Sequence, residues 1–343
     1  VDYSKPITHG PNDLGFDYFF GIAGSLDMFP YVFVENDRVV GTPNRLKETL
    51  YQQQRKGWTT EDWKDEKVDV RHTEKAIEFM EKCHEEDPEK PFFLYFPTAA
   101  PHRPCDIQPN FVKGKSQAGD RGDMVVLFDW IVGQIDQKLH ELGRAENTIF
   151  IISSDNGARL TCYNGKDYGH KSCGNLRGQK ADIWEGGHRE PFIVRWPGKI
   201  AEGTRSNQLV CLSDLFASFS EYFGEDLPEN AAEDSISFWK TLLGEKTENG
   251  REQIVHHSGN GMFSFRKGYW KMIEGRGSGG FTRTRSLKQM FKNFLKMNPE
   301  GQLYNLKNDL QEKNNLWEKK PEKVQEMLTV LRKIQNSDKS RDL

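Results

Sequence analysis

The 343-residue chain is 36% hydrophobic, enough to bury a large core, and is expected to form one big α/β domain with a smaller appendage rather than a single small module. Its 48 basic and 51 acidic residues leave a formal charge of −3, so no global field draws it to nucleic acid or to an anionic membrane. No apolar run approaches the roughly 18 residues that a bilayer-spanning helix needs, and Val1 to Gly10 lack the charged-then-apolar pattern of a secretory signal. That second absence says little in a chain that does not begin with Met.

Apolar runs alternate with helical patterns, the sequence form of a mostly parallel sheet covered on both faces. From Val68 to His84, Ala76, Ile77, Met80 and Cys83 recur at helical spacing, and Pro91 to Phe96 then reads as a short buried strand. Met124, Leu127, Phe128, Ile131, Ile135, Leu139 and Leu142 predict a second helix with Gly143 as its stop. Thr148 to Ser153 reads as a central strand and Pro191 to Trp196 as another, closed by Pro197-Gly198. Ser213 is placed to cap a helix running to Gly224.

Beyond about residue 250 the character changes. Ile254 to His256, Met262 to Arg266 and Tyr269 to Ile273 predict short antiparallel strands, the last two joined by Lys267-Gly268. Gly275 to Gly280 reads as a flexible glycine-rich loop, without the ending or the preceding strand of a phosphate loop. Glu322 to Ile334 predicts a terminal amphipathic helix. The expected division is residues 1–250 as the catalytic α/β domain and 251–343 as a small α+β subdomain.

The five cysteines, Cys83, Cys105, Cys162, Cys173 and Cys211, contain no C-x-x-C pair, which argues against a zinc ribbon or a thioredoxin-like motif. Cys162 and Cys173 could form a disulfide across a loop or remain two buried thiols. Arg283, Arg285, Lys288, Lys292 and Lys296 make a basic stripe, readable as a contact for an anionic polysaccharide or membrane, or as a solvated helix face.

In open α/β sheets, ligands bind beyond the carboxyl ends of strands. Three polar clusters occupy such places: Thr98-Ala-Ala-Pro-His102-Arg103 after Phe96, Ser154-Asp155-Asn156-Gly157 after Ser153, and Gly178 to Glu190 before Pro191. Asp155 and Asn156 offer hard oxygen ligands suited to calcium or magnesium rather than zinc. Taken singly, Asp-Asn-Gly is more often an Asx-capped turn, a histidine a structural hydrogen-bonder and a lysine a surface charge. The functional reading rests on their convergence at strand ends.

Together with Leu176-Arg-Gly-Gln-Lys180 and Trp184-Glu-Gly-Gly-His-Arg-Glu-Pro191, the Ser154–Gly157 block resembles the sulfatases related to arylsulfatase A and N-acetylgalactosamine-6-sulfatase. Gly15-Phe-Asp-Tyr-Phe-Phe-Gly21, Pro101-His102, Gln302-Leu-Tyr-Asn-Leu306 and Asn314-Asn-Leu316 extend the resemblance in family order along nearly the whole chain. The resemblance implies an alkaline-phosphatase-like α/β fold: a mixed, mostly parallel sheet sandwiched by helices, with a small C-terminal subdomain. It also implies one calcium ion held in part by Asp155 and Asn156, a sulfate oxygen neutralised by Lys180, and a leaving alcohol protonated by His102. Ser25 aligns with a serine near the family's active site. His170 lies where sulfated substrate would enter, with substrate contact and a loop hydrogen bond both open, and His188 is expected to brace its loop.

Family members also carry an N-terminal strand ending in paired aspartates, a Cys-x-Pro-Ser-Arg motif whose cysteine becomes formylglycine, and a Gly-Lys-Trp-His segment. None occurs here; Cys173-Gly-Asn-Leu-Arg177 has the Cys-to-Arg spacing but no Pro-Ser. The expectation is therefore a chain that begins after those motifs, lacks the first strand and is inactive alone, while the complete protein hydrolyses a sulfated small molecule or glycan. The resemblance implies a periplasmic, secreted or lysosomal location. The alternatives are a phosphomonoester or phosphonate hydrolase of the same superfamily and a non-catalytic binder of sulfated glycans.

Overall fold

In the computed structural model, residues 2–49, 54–160, 168–245, 250–282 and 300–341 are described. Cys162 and the basic stripe from Arg283 to Lys296 lie outside them. The fold is mixed α/β and divides into two compact units, Val1–Ala145 with Lys166–His170, and Glu146–Gly165 with Lys171–Leu343.

In the first unit, β1 (Phe20–Ile22), β2 (Phe33–Glu35) and β3 (Arg38–Val39) form an antiparallel meander, and β4 (Arg45–Lys47) pairs with β5 (Gly57–Thr59). Asn36 takes φ +55° in the tight turn between β2 and β3, a conformation that Asn tolerates better than most residues. Helix α1 (Val68–Glu86) covers the predicted span, and α2 (Gly119–Glu141) buries Met124, Leu127, Ile131, Ile135 and Leu139 from the predicted stripe. Gly143, at φ +68°, ends that helix by donating its N–H to the His140 carbonyl.

Two clusters place the loops that matter. Met124, Leu127 and Ile131 pack on Ala100, Cys105 and Val112, so the helix grips both sides of the His102 turn. Leu26, Tyr31, Trp63, Val68 and Ile107 form the other cluster, which fixes the Ser25–Asp27 turn through the intervening Leu26.

The second unit pairs β6 (Phe150–Ser153) antiparallel with β7 (Phe192–Arg195), the short helix α3 (Glu185–His188) lying between them in sequence. Helices α4 (Asp214–Phe223) and α5 (Trp239–Leu242) follow. Strands β8 (Gln253–His257), β9 (Phe263–Lys267), β10 (Trp270–Ile273) and β11 (Gln302–Asn305) form an antiparallel sheet in the order β11-β10-β9-β8. Helix α6 (Pro321–Gln335) buries Val324, Met327 and Leu331, one helical stripe, against Phe265, Met272 and Leu303.

Several local expectations change. Among the described residues every ladder is antiparallel, and the one parallel contact is the Tyr31–Thr59 bridge. Pro91–Phe96 is not a paired strand. Its side chains alternate as a strand's would, with Phe93 and Tyr95 64% and 69% exposed, but no described strand supplies a ladder partner. Ser213 makes no side-chain cap; the Asp214 carboxylate instead accepts the Cys211 N–H at 2.8 Å, tying the segment before the helix to its first residue. Gly275–Gly280 is tied down rather than free, since Gln302 donates to the Gly275 and Gly277 carbonyls and Ile183 donates to that of Ser278.

Candidate active site

In the first unit the buried carboxylate of Asp69 on α1 accepts the N–H groups of Ala99 and Ala100, each at 2.8 Å. That pins the turn from which His102 projects, and the His102 N–H closes it onto the Ala99 carbonyl. Asp27, only 4% exposed, is the electrostatic centre of this region. Its Oδ2 lies 2.7 Å from Arg103 Nε, its Oδ1 lies 4.0 Å from His102 Nδ1, and Ser25 Oγ donates to Oδ1. Burial alone would push the Asp27 carboxyl up, but the Ser25 hydrogen bond and the charges of Arg103 and His102 together hold it below the usual range. Because Ser25 spends its proton on Asp27, what it has left to offer is an acceptor lone pair.

In the second unit β6 ends at Ser153, and the chain turns through half-buried Ser154, exposed Asp155 and half-buried Asn156. Gly157 follows because nothing larger fits: a Cβ there would stand 2.0 Å from the Gly186 carbonyl oxygen. The Lys180 N–H donates to the Ala158 carbonyl at 3.0 Å, which brings the lysine's backbone to within two residues of Asn156. Asp155, Asn156 and Lys180 therefore share one unit, whereas Ser25, His102 and exposed His170 belong to the other.

The segment carrying Lys180 is held by buried charge. Glu312 Oε2 accepts the Glu185 N–H at 2.6 Å, and its Oε1 pairs with Lys271 Nζ at 2.9 Å; Lys271 also meets Glu185 Oε1 at 3.0 Å. Lys271 and Glu312 are both 0% exposed. Burial would raise both carboxyls, but Lys271, Arg266 and Arg189 hold Glu185 below the usual range, whereas burial prevails at Glu312 and lifts it. Asp182 accepts from the Gln179 and Thr282 N–H groups, and Arg177 stacks 3.7 Å above the Trp184 ring. His188 packs on His256 with ring centres 4.2 Å apart; burial and then Lys271 push His188 down to about 4 and His256 well below its ordinary value. Sequence reasoning missed Asp27, Lys271 and Glu312. A lysine inside the apolar run Trp270-Lys271-Met272-Ile273 was the available signal, because a buried ammonium requires a carboxylate.

Two observations bear on a cation. Asp155 and Asn156 are oxygen donors, and Glu190 Oε1 is buried with no hydrogen-bond partner among the described atoms. Burial and then the charge of Asp155 push Glu190 up to about 7, as expected where negative groups meet without a positive one. This donor set fits a hard divalent cation. Among the described residues no group of three or more His, Cys, Asp and Glu is arranged to hold a metal. Cys173 is a free thiol whose Sγ lies 3.4 Å from the Gly186 carbonyl oxygen.

Comparison with known proteins decides the family. The sulfatase family model matches residues 6–225, well over half of the chain. The chain belongs to the sulfatase family. A second model, for the C-terminal part of N-sulphoglucosamine sulphohydrolase, matches residues 179–339 of this sulfatase. It is 34% identical to an N-acetylgalactosamine-6-O-sulfatase of Bacteroides thetaiotaomicron over 375 aligned residues, covering 97% of this chain and 71% of that protein. It is 35% identical to the steryl-sulfatase of Rattus norvegicus over 169 residues, 49% of this chain and 29% of that one. A solved structure from a study of glycosaminoglycan metabolism by Bacteroides thetaiotaomicron superposes with a TM-score of 0.83 at 33% identity, covering 98% of this sulfatase and 76% of that chain. The reaction that defines the family is hydrolysis of sulfate esters. No helix among the described residues of this sulfatase is long and apolar enough to cross a membrane.

Proposed function

We propose that this sulfatase supplies the charge-neutralising, metal-holding and proton-donating groups for hydrolysis of a sulfate ester on a sugar. The observation that carries the reading is the joining of the Lys180 segment to the Asp155-Asn156 turn at Ala158, which supports placing an ammonium beside oxygen ligands. Asp155 and Asn156 would hold one calcium ion, which when bound polarises a sulfate oxygen. Lys180 would neutralise charge growing on the sulfate oxygens in the transition state, and His102 would deliver a proton to the departing alcohol. Ser25 and His170 would contact substrate, Ser25 as an acceptor toward a sugar hydroxyl. A formylglycine, supplying the attacking oxygen, would come from outside the five cysteines of this chain.

The sugar substrate is taken from the N-acetylgalactosamine-6-O-sulfatase relative. Residues 1–250 would form the catalytic domain and 251–343 the α+β subdomain, and the family implies periplasmic, secreted or lysosomal placement. The complete protein should cleave N-acetylgalactosamine 6-sulfate or an aryl sulfate in a calcium-dependent manner, with aryl phosphate a poor substrate. Preferential phosphate release by the complete protein would favour a phosphomonoester hydrolase, and glycan binding without turnover would favour a binder.

A further inference from the structure

We infer that Asp27 is the positioning residue of His102, a buried carboxylate that sustains the charged form of the imidazole for proton delivery. The inference rests on the reading of His102 as proton donor. His102 Nδ1 lies 2.9 Å from the Arg103 carbonyl oxygen, which can only accept a hydrogen bond. Nδ1 therefore keeps its proton in both charge states, and the proton that comes and goes sits on Nε2. An imidazole used as an acid at neutral pH needs a nearby negative charge to raise its affinity for that second proton. Asp27 Oδ1, 4.0 Å from Nδ1, provides it.

The surroundings explain how the carboxylate stays ionised and still. Ser25 Oγ donates to one oxygen, Arg103 Nε pairs with the other at 2.7 Å, and the Asp27 carbonyl accepts the Arg55 N–H at 3.0 Å. Nearby ionisable groups include Tyr31, with its phenol bonded to the Arg55 carbonyl, Asp65 behind it, paired with Lys47 at 3.0 Å, and Asp69, whose carboxylate accepts the Ala99 and Ala100 N–H groups. Tyr31 is pushed up to about 12 by burial and by Asp65, so it stays neutral beside Asp27. The Arg103 cation offsets part of the field that Asp27 casts on the imidazole. Asp27 and Arg103 thus act on His102 in opposite directions.

The test is an NMR titration of the His102 ring in the 343-residue chain, assigned by the signal lost in His102→Gln. Asp27→Asn keeps the shape, removes the anion and leaves the Arg103 cation beside the ring, so the His102 midpoint should fall by about one pH unit. Arg103→Gln should raise it. An unmoved midpoint in Asp27→Asn, or shifts of the same sign in both variants, would overturn the inference; if Asp27→Asn fails to fold, an unmoved midpoint in Arg103→Gln overturns it alone. The underlying reading is tested separately in the complete sulfatase. There, His102→Gln should sharpen the dependence of turnover on leaving-group acidity, and an unchanged dependence would remove His102 as the acid without touching the titration result.

Discussion

The two units hold their candidate active-site groups with charge in different ways. In the first, one buried carboxylate, Asp27, faces partners at the rim, His102 and Arg103 both being about a third exposed. In the second, Lys271, Glu185 and Glu312 form a cluster shut away from water, and Lys180 lies on the backbone segment that the cluster braces. A buried carboxylate whose partners lie at the rim can tune a proton affinity at modest cost to stability, because solvent screens the partly exposed charges left behind when it is removed. A sealed cluster fixes geometry and has no such relief. Substitution of Asp27 should therefore register mainly in chemistry, and substitutions within the Lys271–Glu185–Glu312 cluster mainly in folding.

Glu312→Ala should show the largest effect, a loss of about 3–5 kcal/mol in chemical denaturation, because it strands the Lys271 ammonium in the interior. A loss below about 1 kcal/mol would mean that the cluster is wetter than its geometry implies. Lys180→Ala should lower turnover of the complete enzyme by about a hundredfold, near 3 kcal/mol of transition-state stabilisation, while its denaturation curve stays in place. Full activity would reduce Lys180 to a surface charge and erase the contrast between bracing and bracing's beneficiary.

Acid should act on the second unit next. His188 is depressed from 6.5 to about 4 in the folded chain, with His256 moved the same way. A depressed histidine is neutral when folded, so its contribution is fully present above pH 6.5 and is lost as the unfolded chain takes up protons that the folded chain refuses. Stability should fall between about pH 6.5 and 4, by about 2 kcal/mol at pH 5 for His188. Replacing His188 with Asn should flatten that slope in denaturation curves measured across the range. The smallest effect belongs to an exposed pair: Lys323→Ala breaks the contact to Glu326 at 2.7 Å and should change stability by less than about 0.5 kcal/mol.

What could be read in advance followed from periodicity and punctuation. The α1, α2, α4 and α6 helices, the β6 and β7 strands and the β9-Gly268-β10 hairpin lie where apolar spacing and turn residues put them, since those patterns encode which face a segment must bury. Pairing was not legible for Pro91–Phe96, because whether an extended segment becomes a ladder strand depends on a neighbour distant in sequence. The motif blocks pointed to Asp155, Asn156, Lys180 and His102, while Gly157 owes its identity to the Gly186 carbonyl and Gly186 to the Arg177 and Gly178 carbonyls, backbone contacts those blocks only hinted at.

The sequence by itself determined the sulfatase family and the chemical types of its candidate site, because both are written in residue identities at short spacing. Only the tertiary structure decided which charges keep them in place. Asp27 meets Arg103 across 76 residues and Glu312 meets the Glu185 N–H across 127, and such partners are chosen by the burial that folding creates, not by anything local in the chain.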